Sequence, residues 1–376
     1  MEQIFMNDFL LIPPVIHGTV GEEMNLYFAN LFAVLNPADY AFQFDCEKGA
    51  CCAERWHFIP GKEDVGSYEA SLEIYDDNGI AASGKCTIVI HDPEASSGKK
   101  LRLLMIGDSL TDQSHYPTHI HTLCKRYGIQ LEMLGTNVPE ELYKQPGQVI
   151  QYPDPELLPG VRHEGYGGWT AGSFLTRKKA DEVEVYHHWN CASPFFNGDG
   201  DFDFAGYIEK YCGGKAPDVI LIGLITNDLF GVNEGSYQEL TGKYVENMST
   251  LYDKLHHAAP ESVIHIVLNP YCAQSQDAFG KKYGSKYFRR GMRKYCPMAF
   301  RELEKRFREQ HREAPFIALY PAIDPVYGYP MEESEAFAGS GIMVRRQIDG
   351  VHPAPAGYRQ MAVAAFSSLL DLLEKR

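Results

Sequence analysis

The chain has 376 residues, 44% of them hydrophobic and 23% charged, the composition of a globular protein long enough for two domains or one large one. A formal net charge of −15 at pH 7 excludes nucleic acid or an anionic membrane surface as partner, since either would repel it, and favours a neutral or cationic small molecule. No apolar run reaches the roughly 18 residues of a transmembrane helix, and Met1 to Phe9 lacks the basic start of a signal peptide, so a cytoplasmic location is expected.

Residues 1–97 show a period of two. Tyr40, Phe42 and Phe44 alternate with Ala41 and Gln43; Tyr68, Ala70, Leu72 and Ile74 alternate with Glu69, Ser71 and Glu73. Asp76-Asp77-Asn78-Gly79 is a turn signal, after which Cys86, Ile88 and Ile90 alternate with Thr87 and Val89. This pattern predicts half-buried antiparallel strands joined by hairpins, in a small all-β sandwich. Such a module is either a carbohydrate-binding or lid-forming unit or a packing domain without a ligand. Asp92 to Lys100 reads as a polar linker.

From residue 98 to 376 strands alternate with helices. Leu101–Ile106 predicts a buried strand. His119, Ile120, Leu123, Cys124 and Tyr127 fall at helical spacing before Gly128, and Ile129–Leu134 is strand again. Asp218–Gly223, Val263–Leu268 and Phe316–Tyr320 predict further strands. Leu240 to Leu255, Phe300–Phe307 and Met361 to Leu372 predict helices. This alternation implies a parallel sheet covered on both faces, with ligands at the carboxyl ends of its strands. Lys286, Arg289, Arg290, Arg293 and Lys294 read as the solvated face of a helix. Nine cysteines, an odd count without a C-x-x-C spacing, predict thiols rather than a disulfide framework or a zinc site.

Three polar clusters fall at that carboxyl edge: Gly107-Asp108-Ser109, Thr226-Asn227-Asp228, and Asp349-Gly350-Val351-His352-Pro353 before the last helix. Ser109 stands where a strand hands over to a helix, so it is either a helix N-cap or a nucleophile favoured by the local dipole. A serine hydroxyl needs a base, usually a histidine oriented by a carboxylate. The spacing of Asp349 and His352 lets the carboxylate reach one ring nitrogen while the other faces Ser109. The alternative is a helix-flanking histidine with no role. Candidate donors to an oxyanion are the N–H of Ser109, the N–H of Gly168 in Gly165-Tyr166-Gly167-Gly168-Trp169-Thr170, and the Asn227 amide. The glycine run carries no Walker or dinucleotide fingerprint.

Gly107-Asp108-Ser109-Leu110, Gly168 within its glycine run, Thr226-Asn227-Asp228 and Asp349-x-x-His352 resemble, in order, the four blocks of the SGNH, or GDSL, hydrolase superfamily. The resemblance covers residues 101–376. It implies a flavodoxin-like three-layer α/β/α domain with a parallel sheet, and ester hydrolysis through an acyl-enzyme without metal or cofactor. It also implies Ser109 as nucleophile and oxyanion donor, Gly168 and Asn227 as the other donors, His352 as general base then acid, and Asp349 as its orienter. Asp108 and Asp228 would tie loops together. One departure is Ile225, where the family's asparagine block carries glycine.

The segment from Tyr186 to Gly198 falls between the glycine and asparagine blocks and can form a loop over the pocket. Trp169, Trp189 and Phe196 are candidates to stack on a sugar, and Tyr166 to hydrogen-bond to one; the alternative is that they pack the insertion. His187-His188 has no ligand partner at metal spacing, so no metal site is expected there. A sandwich before such a hydrolase domain resembles modular bacterial carbohydrate esterases. The reading is a serine esterase acting on short acetyl esters of a sugar or oligosaccharide, with a homo-oligomer allowed. The alternatives are a lipid or thioester acyl hydrolase, or a non-catalytic sugar-binding protein.

Overall fold

The computed structural model describes residues 9–143, 159–179, 191–310 and 316–375. In its first third the period-two segments become β1 (Val15–Thr19), β2 (Met24–Tyr27), β3 (Ala41–Cys46), β4 (Ala50–Cys51), β5 (Arg55–Phe58), β6 (Gly66–Asp76) and β7 (Gly79–His91). A one-turn helix, α1 (Phe28–Leu31), follows β2. They form two sheets, ordered β1-β7-β6-β3 and β2-β5-β4. The sheets meet through Phe44 and the buried Trp56, whose ring centroids are 5.4 Å apart. The turn at Asp76–Gly79 closes the β6–β7 hairpin, with Gly79 at φ +125°, a region glycine tolerates best. β1 departs from the predicted antiparallel pattern: it runs parallel to β7, Val15 opposite Thr87 and Thr19 opposite His91. The chain leaves β1 for the other sheet, so no hairpin ties β1 to β7 and neither strand must reverse.

The second region holds β8 (Lys100–Gly107), β9 (Gln130–Leu134), β10 (Glu164–Gly165), β11 (Val219–Gly223), β12 (Val263–Leu268) and β13 (Phe316–Ala318), all paired in parallel. β9 lies along the start of β8 and β10 along its end, while β11, β12 and β13 follow on its other flank. The order β9-β8-β11-β12-β13 is the doubly wound flavodoxin-like one, with its switch point between β8 and its two flanks. The helices are α2 (Ser109–Asp112), α3 (His115–Arg126), α4 (Pro139–Tyr143), α5 (Ala171–Thr176), α6 (Phe204–Tyr211), α7 (Tyr237–Ala258), α8 (Gln276–Tyr283), α9 (Arg289–Glu309) and α10 (Pro355–Glu374). A hairpin, β14 (Met331–Glu335) and β15 (Met343–Gln347), precedes the last loop.

Alternation between two buried faces explains why the central strands are mostly apolar. Leu101, Leu103 and Met105 join the cluster of Ile120 and Leu123 on α3 and Met361, Phe366 and Leu369 on α10. Leu104 and Ile106 point the other way, into the cluster of Met248 and Leu251 on α7 and Phe300 and Leu303 on α9. β11 divides likewise, Val219 and Leu221 against Ile220 and Ile222. A sheet covered on both faces leaves no position for a solvated side chain. Each fully buried Leu, Ile, Met or Phe contributes about 1.5–3 kcal/mol of transfer free energy.

The N-terminal sheets pack beside β13 and α10. Asn30 Nδ2 donates to the carbonyls of Tyr320 and Ile323, both at 2.8 Å, and the Tyr27 N–H donates to Pro321 at 2.8 Å. Arg293 corrects the expectation of a solvated basic face. Its side chain is fully buried and donates to the carbonyls of Ala29 and Val34, while Arg290 and Lys294 pair with Glu234 at the surface. The carbonyls that Arg293 meets come from the N-terminal part of the chain, which spacing within α9 does not reveal. All nine cysteines lie outside disulfides. Among the described residues no helix is long and apolar enough to cross a membrane.

Candidate active site

β8 ends at Gly107, and the chain turns there into α2. A Cβ on Gly107 would stand 2.0 Å from Thr111 Oγ1, so only glycine lets this turn close. Asp108, not Ser109, is the N-cap: its Oδ1 accepts the Leu110 N–H at 2.9 Å. Ser109 is the first residue of α2, half-buried, and its hydroxyl is not used for capping. Its N–H lies in the first turn, where a helix supplies no internal acceptor.

Ser109 Oγ lies 2.9 Å from His352 Nε2, and His352 Nδ1 lies 3.1 Å from Asp349 Oδ2. Asp349 Oδ1 accepts the backbone N–H groups of Val351 at 2.9 Å and His352 at 3.0 Å, and the Tyr283 hydroxyl at 3.3 Å. Burial pushes the Asp349 carboxyl up, but its hydrogen bonds and the His352 charge outweigh that and hold it at about 2. An ionised carboxylate only accepts, so His352 Nδ1 carries the proton and Nε2 accepts from the Ser109 hydroxyl. The loop presses against α8: a Cβ on Gly350 would stand 2.5 Å from the Phe279 ring.

The glycine run is held against α2. Gly165 lies opposite Gly107, and a Cβ there would stand 2.5 Å from Asp112 N. Asp112 accepts the Gly167 N–H and the Asn137 amide, each at 3.1 Å. Gly168 follows, exposed and at φ +77°, with open space where a Cβ would stand. Among the described residues its N–H has no hydrogen-bond partner. The carbonyl of Trp169 accepts from Asn227 Nδ2 at 2.9 Å, which orients that amide. Asp228 accepts the Ala171 N–H at 3.1 Å and so ties the asparagine loop to the glycine loop. Burial pushes the carboxyl of Asp228 up to about 7 and those of Asp108 and Asp112 to about 6.

The structure thus brings Ser109, Asp349 and His352 into one hydrogen-bonded chain, with Gly168 and Asn227 on the loops beside it. Tyr166 and Trp169, candidate sugar contacts, are packed in the core, although Tyr166 also lines the cleft that holds Phe196. They are 4% and 0% exposed, their rings stack at 4.3 Å, and the Tyr166 hydroxyl donates to the buried Glu164. An aromatic ring whose faces are taken by the core has none left for a ligand. Phe196 is half-buried and lines an open cleft with Cys191, Pro194 and Tyr211, a cleft that Ser109 does not line. Trp189 and the pair His187-His188 lie outside the described residues. Ile225 is buried in the core, so the departure at that position is absorbed on the inner side of the loop.

Sequence reasoning missed Asp112 and the Ser114–His163 pair. Ser114, at φ +61°, places its Oγ 2.7 Å from His163 Nε2, and His163 Nδ1 accepts the Gly165 N–H at 3.1 Å. A second acid three residues after Ser109 was the available signal for Asp112. His163 had none, since its partner lies across the sheet edge.

The fold is a doubly wound α/β sheet, and the hydrogen-bonded Ser109, His352 and Asp349 lie at the carboxyl edge of that sheet. The chain belongs to the GDSL-like lipase/acylhydrolase family, whose model matches residues 103–365, and it is an ester hydrolase by that membership. The structure is similar to a family 3 carbohydrate esterase from Clostridium thermocellum, at 15% identity over 74% of this chain and 98% of that one, TM-score 0.42. It is also similar to a family 3 carbohydrate esterase from Talaromyces cellulolyticus, at 14% identity over 73% of this chain and 99% of that one, TM-score 0.45. A carbohydrate acetylesterase from Sinorhizobium meliloti aligns at 13% identity over 72% of this chain and 99% of that one, TM-score 0.39. No curated protein matches the chain.

Proposed function

We propose that the protein is a serine esterase that removes acetyl or similarly short acyl groups from carbohydrates, using Ser109, His352 and Asp349. The observation that carries this reading is the chain of hydrogen bonds from Asp349 through His352 to the Ser109 hydroxyl. Ser109 Oγ attacks the ester carbonyl as His352 Nε2 takes its proton, and Asp349 stabilises the imidazolium. The N–H groups of Ser109 and Gly168 and the Asn227 amide donate hydrogen bonds to the oxyanion. Collapse expels the alcohol, which takes the proton back from His352, and leaves an acyl-Ser109. Water, deprotonated by the same ring, then releases the acid and restores the serine.

Residues 1–97 are read as an accessory domain and residues 98–376 as the catalytic one. The carbohydrate assignment draws on that arrangement of a sandwich before a hydrolase domain and on the strongly negative chain, which suits a neutral substrate. The test is hydrolysis of p-nitrophenyl acetate and p-nitrophenyl laurate by wild type and Ser109→Ala. Acetate activity that falls roughly 10,000-fold or more in the variant is expected. Preference for laurate would assign the protein to lipid substrates instead. Acetate release from a panel of acetylated sugars then identifies the alcohol.

A further inference from the structure

A second histidine–carboxylate cluster stands apart from the active site, where the N-terminal sheets meet α10. His17 lies on β1 and His91 at the end of β7. Parallel pairing puts His17 opposite Val89 and Thr19 opposite His91, so both histidines stand on the same face of the ladder. On α10, Asp371 and Glu374 are three residues apart and share a face. The register between strand and helix is pinned one turn earlier, where Thr19 Oγ1 and Ser367 Oγ are 2.7 Å apart, both side chains fully buried.

The resulting geometry is specific. His17 Nδ1 lies 2.9 Å from His91 Nε2, and one ligand atom from each of His17, His91 and Asp371 falls within 4.8 Å of the others. The remaining nitrogen of His91 is 2.8 Å from Glu374 Oε2. His91 is 3% exposed, so that carboxylate fixes which of its nitrogens carries a proton and aims the other lone pair at His17 and Asp371.

We propose that His17, His91 and Asp371 bind a divalent transition-metal ion of the zinc class, with Glu374 as the outer carboxylate that orients His91. Two imidazole nitrogens and one carboxylate oxygen suit a borderline ion, whereas calcium and magnesium take oxygen ligands. Zinc–nitrogen bonds of about 2.0–2.1 Å at tetrahedral angles set the two nitrogens roughly 3.3 Å apart, so on binding the nitrogens part by about 0.4 Å and the two rings, now facing each other, turn toward the ion. Asp371 now accepts from Lys375 at 2.7 Å, but the Lys375 side chain is 71% exposed, and a surface pair of this kind yields readily to a dication. Bound there, the ion cross-links β1 and β7 to the last helix of the hydrolase domain.

The experiment uses the full chain, dialysed against chelator and titrated with zinc chloride by calorimetry and with cobalt(II) by visible absorption. One equivalent of zinc is expected to bind saturably and raise the melting temperature. Cobalt is expected to give tetrahedral d–d bands without the thiolate charge-transfer band that capture by cysteines would produce. Glu374→Gln is expected to weaken zinc binding about 10–100-fold. Asp371→Ala, at a half-exposed helix position where folding is not at stake, removes the tight site and the rise in melting temperature. Absence of saturable binding at micromolar zinc, binding that Asp371→Ala leaves unchanged, or a cobalt thiolate band each overturns the proposal. The first of these leaves a plain hydrogen-bonded Glu374–His91–His17 relay.

Discussion

Asp349 and Glu374 each hold one nitrogen of a histidine ring, at 3.1 Å in His352 and at 2.8 Å in His91. In both rings the opposite nitrogen meets a further group at 2.9 Å: the Ser109 hydroxyl beyond His352, and another imidazole, His17, beyond His91. The carboxylate performs the same service in each, selecting a tautomer and an orientation. What stands on the far side differs. A hydroxyl has a proton to give up, so in the proposed mechanism the ring facing it is the base. A second imidazole and a carboxylate offer lone pairs, so the ring facing them acts as a ligand. Accessibility differs in the same sense: the His352 side chain is 21% exposed beside its loops, while His91 is enclosed between sheet and helix.

The sharpest way to separate the two rings is to damage one carboxylate and read both properties. Asp349→Asn leaves the shape and reverses the tautomer preference of His352, so kcat on p-nitrophenyl acetate is expected to fall by about 10,000-fold, while zinc affinity measured by calorimetry stays as in wild type. A small loss in kcat would show that His352 does not depend on Asp349. Next in size is Asn227→Ala, expected to lower kcat by about 100- to 1,000-fold with little change in KM, as for loss of one oxyanion donor. Loss confined to KM would instead place Asn227 in ground-state binding.

Gly168→Ala meets open space but sits at φ +77°. Its cost is therefore backbone strain of about 1–2 kcal/mol, seen as a lower melting temperature and a several-fold lower kcat. An unchanged enzyme would remove Gly168 from the oxyanion set.

A pH-dependent effect concerns Asp228, whose carboxyl is pushed by burial up to about 7 from an ordinary value of 3.8. Between those pH values the native state holds a proton that the unfolded chain has lost, so the contribution of Asp228 to stability falls as pH rises. Asp228→Asn does not titrate and its side-chain oxygen still accepts from Ala171. Relative to wild type the variant is expected to gain stability from pH 4 to pH 7, measured by urea denaturation at each pH. A parallel pair of pH profiles would mean that Asp228 is ionised throughout.

Much of the hydrolase half is legible in the amino-acid sequence. Six mostly apolar residues ending in Gly107-Asp108-Ser109 read as a strand delivering polar groups to an edge, and that edge is where the structure gathers the loops of Ser109, Asn227 and His352. Less legible was which neighbour does the capping. Ser109 and Asp108 are both good N-caps, and the tight turn at Gly107 decides for Asp108. The aromatic residues of the glycine run misled for a similar reason. Tyr166 and Trp169 look the same in sequence whether they face a sugar or the buried Glu164 and Phe174.

Periodicity and turn chemistry belong to neighbouring residues, so the amino-acid order alone settles that a strand alternates, that a helix has an apolar face, and that a glycine–acid–serine corner follows β8. Burial and partnership belong to surfaces built from distant segments. Arg293 is buried because the carbonyls of Ala29 and Val34 come to meet it. His17, His91 and Asp371 are separated by 74 and 280 residues in the chain and within 4.8 Å in the fold. No local pattern carries such a meeting, because it depends on how a sandwich docks on a helix that is made last.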